Sequence, residues 1–241
     1  MLEIEDLRVA IGDKEVLKGV NLAIPTGETH ILFGKNGSGK STLLMAIMGF
    51  QRYRVTGGRI RFRGADITQL PTSERARLGL GLAFQRPPVI RGVKTRDIFR
   101  ACAGGKLSYE ALAAAYNFTD FLDREINYGF SGGETKRSEL LQLVAQDPLM
   151  VLLDEPESGV DMENLQVVGG LIAQLLQKER RRQHREKSGL IITHTGFIMD
   201  YVHADGGYIM MDGRIWCRGN PQEILKDIKQ YGYEECAKCL R

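Results

Sequence analysis

The stretch HILFGKNGSGKSTLLMAIMGF, residues 30–50, decides the fold. Its opening residues, His30 to Phe33, run apolar as a buried parallel strand does, and residues 41–50 are rich in the Leu, Met and Ala that favour helix. Between them Gly34, Lys35, Asn36, Gly37, Ser38, Gly39, Lys40, Ser41 and Thr42 satisfy G-x-x-x-x-G-K-[ST]. Strand, glycine loop and helix thus follow in the order that cradles phosphate. Glycines let successive backbone N–H groups turn inward around anionic oxygens, and the helix N-terminus adds its positive end. Gly34, Asn36, Gly37, Ser38, Gly39, Lys40, Ser41 and Thr42 are therefore expected to hold a nucleotide, with Lys40 at the β- and γ-phosphates and the Ser41 hydroxyl at a Mg2+ position.

The same parallel-sheet pattern returns in short apolar runs at 150–153 and 190–193, each ending on titratable residues. Ligands in an open α/β sheet lie beyond the carboxyl ends of the strands, which places Asp154, Glu155 and His194 at a site. Asp154 is expected to hold Mg2+, and Glu155 to polarise an attacking water. The alternative for these acids is a charge pair that favours the dipole of the next helix. Residues 2–11 and 20–24 alternate polar with apolar, and GGRIRFRG at 57–64 reads as a further strand, which predicts a small antiparallel sheet. Residues Thr95–Ala103, 108–122 and 133–146 read as helices, broken at Gly104-Gly105 and 127–130. The fold class is α/β: a mainly parallel core sheet, a small antiparallel β part and a helical insert. Residues 1–86 and 147–241 are expected to form the nucleotide-binding part of a single domain over 1–241, with 87–146 as the helical part.

With 241 residues, 43% hydrophobic and 26% charged, the chain is long enough to bury a core without staples. A net charge of +3 is too weak to imply nucleic acid without a clustered patch. The start lacks a basic segment leading into an apolar run, and no stretch approaches the roughly 18 apolar residues that span a bilayer. The expectation is a cytoplasmic protein with no nucleic-acid partner and no direct membrane insertion. Cys102, Cys217, Cys236 and Cys239 are too scattered for a disulfide framework. Cys236 and Cys239 have a metal-ligand spacing but lack a second pair beside them. The run KERRRQHREK at 178–187 reads as a solvated loop, with an acidic-partner contact as the alternative.

Upstream of Asp154 stand Phe130, Ser131, Gly132, Gly133 and Glu134. This peptide resembles the signature of the ABC ATPases, LSGGQ in most members. Gln85 after an apolar strand, Ser158-Gly159-Val160-Asp161 after the acids, and His194 after the next strand complete a similar series over essentially the whole chain. The resemblance implies a Mg-dependent ATPase acting as a head-to-tail homodimer, with ATP held between the phosphate loop of one copy and the signature of the other. It implies that Ser131, Gly132 and Gly133 face the γ-phosphate across the interface and that Asp161 links the two sites. It further implies that Gln85 senses Mg2+ and the water, and that His194 senses the γ-phosphate. Most members stack adenine on an aromatic residue near the position of Ile11; here Val9, Ala10 and Ile11 offer only aliphatic surface.

Within that superfamily YRVTGG (53–58), AFQRPPVIRG (83–92), FSGGETKRSE (130–139) and DYVH (200–203) look like the SUF-type iron–sulfur cluster assembly ATPase, SufC-like, while residues 231–239 diverge from it. That resemblance implies a SufB-like soluble scaffold protein as partner, contacted near residues 86–93 and the helical insert. The alternatives are the ATPase subunit of a membrane ABC transporter, which shares every catalytic motif, and an ATP-dependent clamp without turnover.

Overall fold

The computed structural model describes residues 1–105 and 107–238. The elements run β1 (Leu2–Ile11), β2 (Lys14–Ile24), β3 (Thr29–Phe33), α1 (Lys40–Met48), β4 (Arg54–Phe62), β5 (Ala65–Asp66), α2 (Thr72–Leu78) and β6 (Leu80–Ala83). They continue with α3 (Thr95–Ala103), α4 (Tyr109–Ala115), α5 (Gly132–Gln146), β7 (Met150–Asp154), α6 (Met162–Leu175), β8 (Ser188–Ile192), β9 (Gly206–Met211), β10 (Arg214–Gly219) and α7 (Pro221–Lys238). One sheet is antiparallel, in the order β2-β1-β4-β5. The other has the order β10-β9-β3-β8-β7-β6, parallel throughout except for β10. The mixed α/β architecture expected from the sequence is present.

Strands β3, β7 and β8 are buried along their whole length, which is why they read as unbroken apolar runs. Their period of two divides them between two cores. Ile31, Phe33, Val151, Leu153 and Ile191 pack with Leu140 and Leu141 of α5 and Val168 and Ile172 of α6. Leu32, Leu152, Leu190 and Ile192 pack with Leu43, Leu44 and Ile47 of α1 and with Leu7, Val9 and Val20 of the antiparallel sheet. Each such side chain contributes about 1.5–3 kcal/mol by burial, so both layers grip the parallel sheet and fix its loops.

The structure differs from the sequence reading in three places. Strand β2 begins at Lys14 instead of residue 20, because the whole segment pairs with β1 from Ile11↔Lys14 to Leu2↔Ile24. Register shifts in that pairing interrupt the alternation that would have revealed it. The helix expected over 108–122 stops at Ala115, since Asn117 takes φ 51° and a single 3-10 turn follows at Thr119–Phe121. The basic run is only partly solvated. Lys178 Nζ lies 3.1 Å from Asp205 Oδ2, Arg185 approaches the same carboxylate, and Arg182 pairs with the buried Glu28. Of the Cys236–Cys239 pair, Cys239 lies outside the described residues. Among the described residues no helix is long and apolar enough to cross a membrane.

Candidate functional site

The phosphate loop joins β3 to α1. Gly34 touches the β9 backbone so closely that a Cβ there would sit 2.4 Å from Met210 O. Gly39, the N-cap of α1, has φ 109°, a conformation that side chains rarely adopt. Lys40 is 5% exposed, and its Nζ donates to Gly34 O at 2.7 Å and Lys35 O at 3.0 Å. Burial lowers its pKa to about 8, against the opposing charges of Glu155 and Asp154. The Ser38 hydroxyl, buried in the same loop, has no hydrogen-bond partner among the described residues.

Strand β7 carries the acids to the loop. Asp154 is 2% exposed; burial raises its carboxyl pKa, and a hydrogen bond from Ser41 works against that shift. Its Oδ1 has no hydrogen-bond partner among the described residues. A hydroxyl beside a buried carboxylate with an unused oxygen is the hard oxygen set that Mg2+ takes, so these residues fit the ion.

Glu155 sits in the left-handed region, φ 48°, and its N–H donates to Ile192 O at 3.1 Å. For a non-glycine residue that conformation costs of order 1–3 kcal/mol and persists where surrounding contacts enforce it. Contacts on its side chain are present: Gln85 Nε2 donates to Glu155 Oε2 at 2.6 Å, and His194 Nε2 lies against Oε1. Gln85 follows β6, Glu155 follows β7, His194 follows β8, and the phosphate loop follows β3. These four strands are neighbours in the sheet, so their carboxyl-terminal loops converge.

Ser131, Gly132, Gly133 and Asp161 form a second cluster. Ser131 caps α5 in a reciprocal arrangement, its Oγ accepting from Glu134 N at 3.3 Å while Glu134 Oε2 accepts from Ser131 N at 2.7 Å. Asp161 caps α6, accepting from Asn164 N at 2.9 Å and Asn164 Nδ2 at 2.8 Å. The two caps touch through small residues. A Cβ on Gly132 would meet Gly159 O at 2.0 Å, and one on Gly133 would meet Asn164 Cγ at 2.6 Å. The structure therefore brings residues 34–42, Gln85, Asp154, Glu155 and His194 together, and gathers the signature with Asp161 at the start of two helices.

Sequence reasoning missed Lys136 and Glu139. Both are buried in α5; Lys136 reaches the carbonyls of Phe84 and Gln85, and Glu139 the N–H of Phe84. Burial lifts the Glu139 carboxyl to about 7, with Lys136 opposing, and burial lowers the Lys136 pKa. It also missed Glu157, a buried acid that accepts from Thr193 and, at 3.2 Å, from Thr195. It thereby braces the turn that carries His194. A lysine and a glutamate three apart on a helix ordinarily read as a solvated pair, so the sequence held no signal of this burial.

A family model described as ABC transporter matches residues 17–158. The chain is 37% identical over 250 residues to the "Probable ATP-dependent transporter ycf16" of Cyanophora paradoxa, covering 97% of this chain and 93% of that relative. It is 39% identical over 254 residues to a "Probable ABC transporter ATP-binding protein" of Streptococcus pyogenes serotype M18, covering 100% of this chain and 96% of the relative. In fold it matches a nucleotide-free ATP-binding cassette from an ABC transporter with TM-score 0.78 at 24% identity, over 95% of each chain. It matches a bacterial Atm1-family ABC exporter with ATP bound with TM-score 0.77 at 20% identity, over 99% of this chain and 41% of that one. With the family model, relatives over nearly the whole chain and the fold in agreement, the chain belongs to the ATP-binding cassette family of ABC transporters.

Proposed function

We propose that the chain binds and hydrolyses Mg-ATP as one half of a head-to-tail homodimer and uses closure of that dimer to move a partner protein. The observation that carries this reading is the Glu155 carboxylate, held on both oxygens beside Asp154, Ser41 and the phosphate loop. Backbone N–H groups of residues 34–42 and the Lys40 ammonium bind the phosphates. Ser41 and Asp154 would hold Mg2+, which would supply positive charge to offset that of the phosphates. Glu155 orients the water and takes its proton as the water oxygen attacks the γ-phosphorus, while Gln85 and His194 keep the carboxylate in place. Ser131, Gly132 and Gly133 offer the positive end of α5 to the nucleotide of the other copy. Phosphate release with Mg-ATP and partner, compared between wild type and Glu155→Gln, tests the hydrolase. Equal and negligible release in both would favour the clamp without turnover.

The transporter names of the relatives support a membrane-embedded subunit as the partner, docked near residues 86–93 and the helical segment 87–146. A second reading, a SufB-like soluble scaffold for iron–sulfur clusters, is supported by the four local stretches at 53–58, 83–92, 130–139 and 200–203. Affinity capture with Glu155→Gln and ATP separates the two. A polytopic membrane protein supports the transporter, and a soluble protein carrying an iron–sulfur cluster supports the scaffold.

A further inference from the structure

Helix α5 begins at the signature and, one turn on, buries Lys136 and Glu139 to 3% and 5% exposure. Taking two charges out of water is unfavourable unless partners compensate. Their mutual contact is weak, with Lys136 Nζ 3.9 Å from Glu139 Oε2. Their strong bonds go elsewhere. Lys136 Nζ donates to Phe84 O at 2.6 Å and to Gln85 O at 3.0 Å, while Glu139 Oε1 accepts from Phe84 N at 2.5 Å. One helix therefore grips both backbone groups of Phe84 and the carbonyl of Gln85. Gln85 in turn holds Glu155 Oε2 at 2.6 Å.

We infer that Lys136 and Glu139 are positioning residues that tie the hold of Gln85 on Glu155 to the position of the signature helix. A continuous path then runs from Ser131 at the start of α5, through the two buried charges, to Phe84, Gln85 and Glu155. When the signature of this copy engages the nucleotide of a second copy, displacement of α5 is passed to the hydrolytic carboxylate of its own site. The two ATP sites of the dimer are thereby coupled within each subunit, through contacts that no motif of the sequence names. The inference rests on the head-to-tail dimer proposed above.

The test is amide hydrogen exchange at Phe84 and Gln85, with and without Mg-ATP, in wild type and three variants. Lys136→Met/Glu139→Leu replaces the charges with apolar side chains of similar size and removes all three bonds to the backbone of Phe84 and Gln85. Glu139→Ala removes one bond, and Glu139→Gln keeps an acceptor for Phe84 N. ATP is expected to slow exchange in wild type and Glu139→Gln by about tenfold, and to leave it unchanged in the double variant although that variant binds ATP within about twofold of wild type; Glu139→Ala falls between. Slowing retained in the double variant and in Glu139→Ala, no slowing in wild type, or ATP affinity lost together with the slowing would overturn the inference. Turnover in the same samples reads the hydrolase separately: a wild type that shows the slowing but no turnover counts against hydrolysis and supports the grip.

Discussion

At the scale of single residues, the proposed chemistry concentrates on Glu155, whose left-handed backbone and carboxylate contacted on both oxygens set it apart from the buried Asp154 next to it. Glu155→Gln removes the proposed proton acceptor and keeps the shape, so turnover should fall by about 100-fold or more while ATP still binds. Lys40→Ala should instead weaken nucleotide binding itself, as titration with a fluorescent ATP analogue would register. Ile11 makes a different prediction. If adenine meets only the aliphatic surface of Val9, Ala10 and Ile11, as the resemblance implies, a stacking contribution of about 0.5–1.5 kcal/mol is lost, and the affinities for ATP and GTP should agree within about threefold. A strong preference for ATP in competition binding would contradict that. The phosphate loop and the acid pair were legible because their chemistry demands fixed residue types at fixed spacing. Lys136 and Glu139 were not, because what marks them is burial against Phe84 and Gln85, a contact across some fifty residues of chain.

At the scale of elements, legibility follows burial. β3, β7 and β8 are covered on both faces and announce themselves as apolar runs, whereas β2 hides its first half behind register shifts against β1. The basic run at 178–187 misleads for a related reason: its charges find acids that arrive from other elements. Asp205 precedes β9, accepts from Thr29 N at 2.8 Å, and pairs with Lys178, joining the connection after α6 to the start of β3. Burial works to raise the Asp205 carboxyl, but the Thr29 N–H and Lys178 hold it below the usual carboxylate range. A folded-state pKa lowered in this way contributes stability that is present at neutral pH and lost as pH falls through the carboxylate range. Asp205→Ala leaves Lys178 buried without this partner and should cost about 3 kcal/mol, seen as a lower urea midpoint at neutral pH. The difference between variant and wild type should shrink as the solution is acidified. A midpoint unchanged at neutral pH would show that the cluster contributes nothing.

At the scale of the whole molecule, the fold sorts the expected site residues into two groups. Phosphate loop, acids, Gln85 and His194 meet at the ends of four neighbouring strands; Ser131, Gly132, Gly133 and Asp161 meet at the starts of α5 and α6. The sequence resemblance implied that the second group serves another copy. Turnover should accordingly rise more steeply than protein concentration wherever the subunits are mostly monomeric. Mixing two inactive variants tests the shared site most directly. Lys40→Ala damages the phosphate loop and keeps the signature, while Ser131→Arg damages the signature and keeps the loop. Each alone should release almost no phosphate from Mg-ATP. Mixed in equal amounts, they can form a dimer with one intact composite site, and phosphate release should return to a readily measured fraction of the wild-type rate. A mixture as silent as its components, with mixed dimers shown to form, would contradict the account.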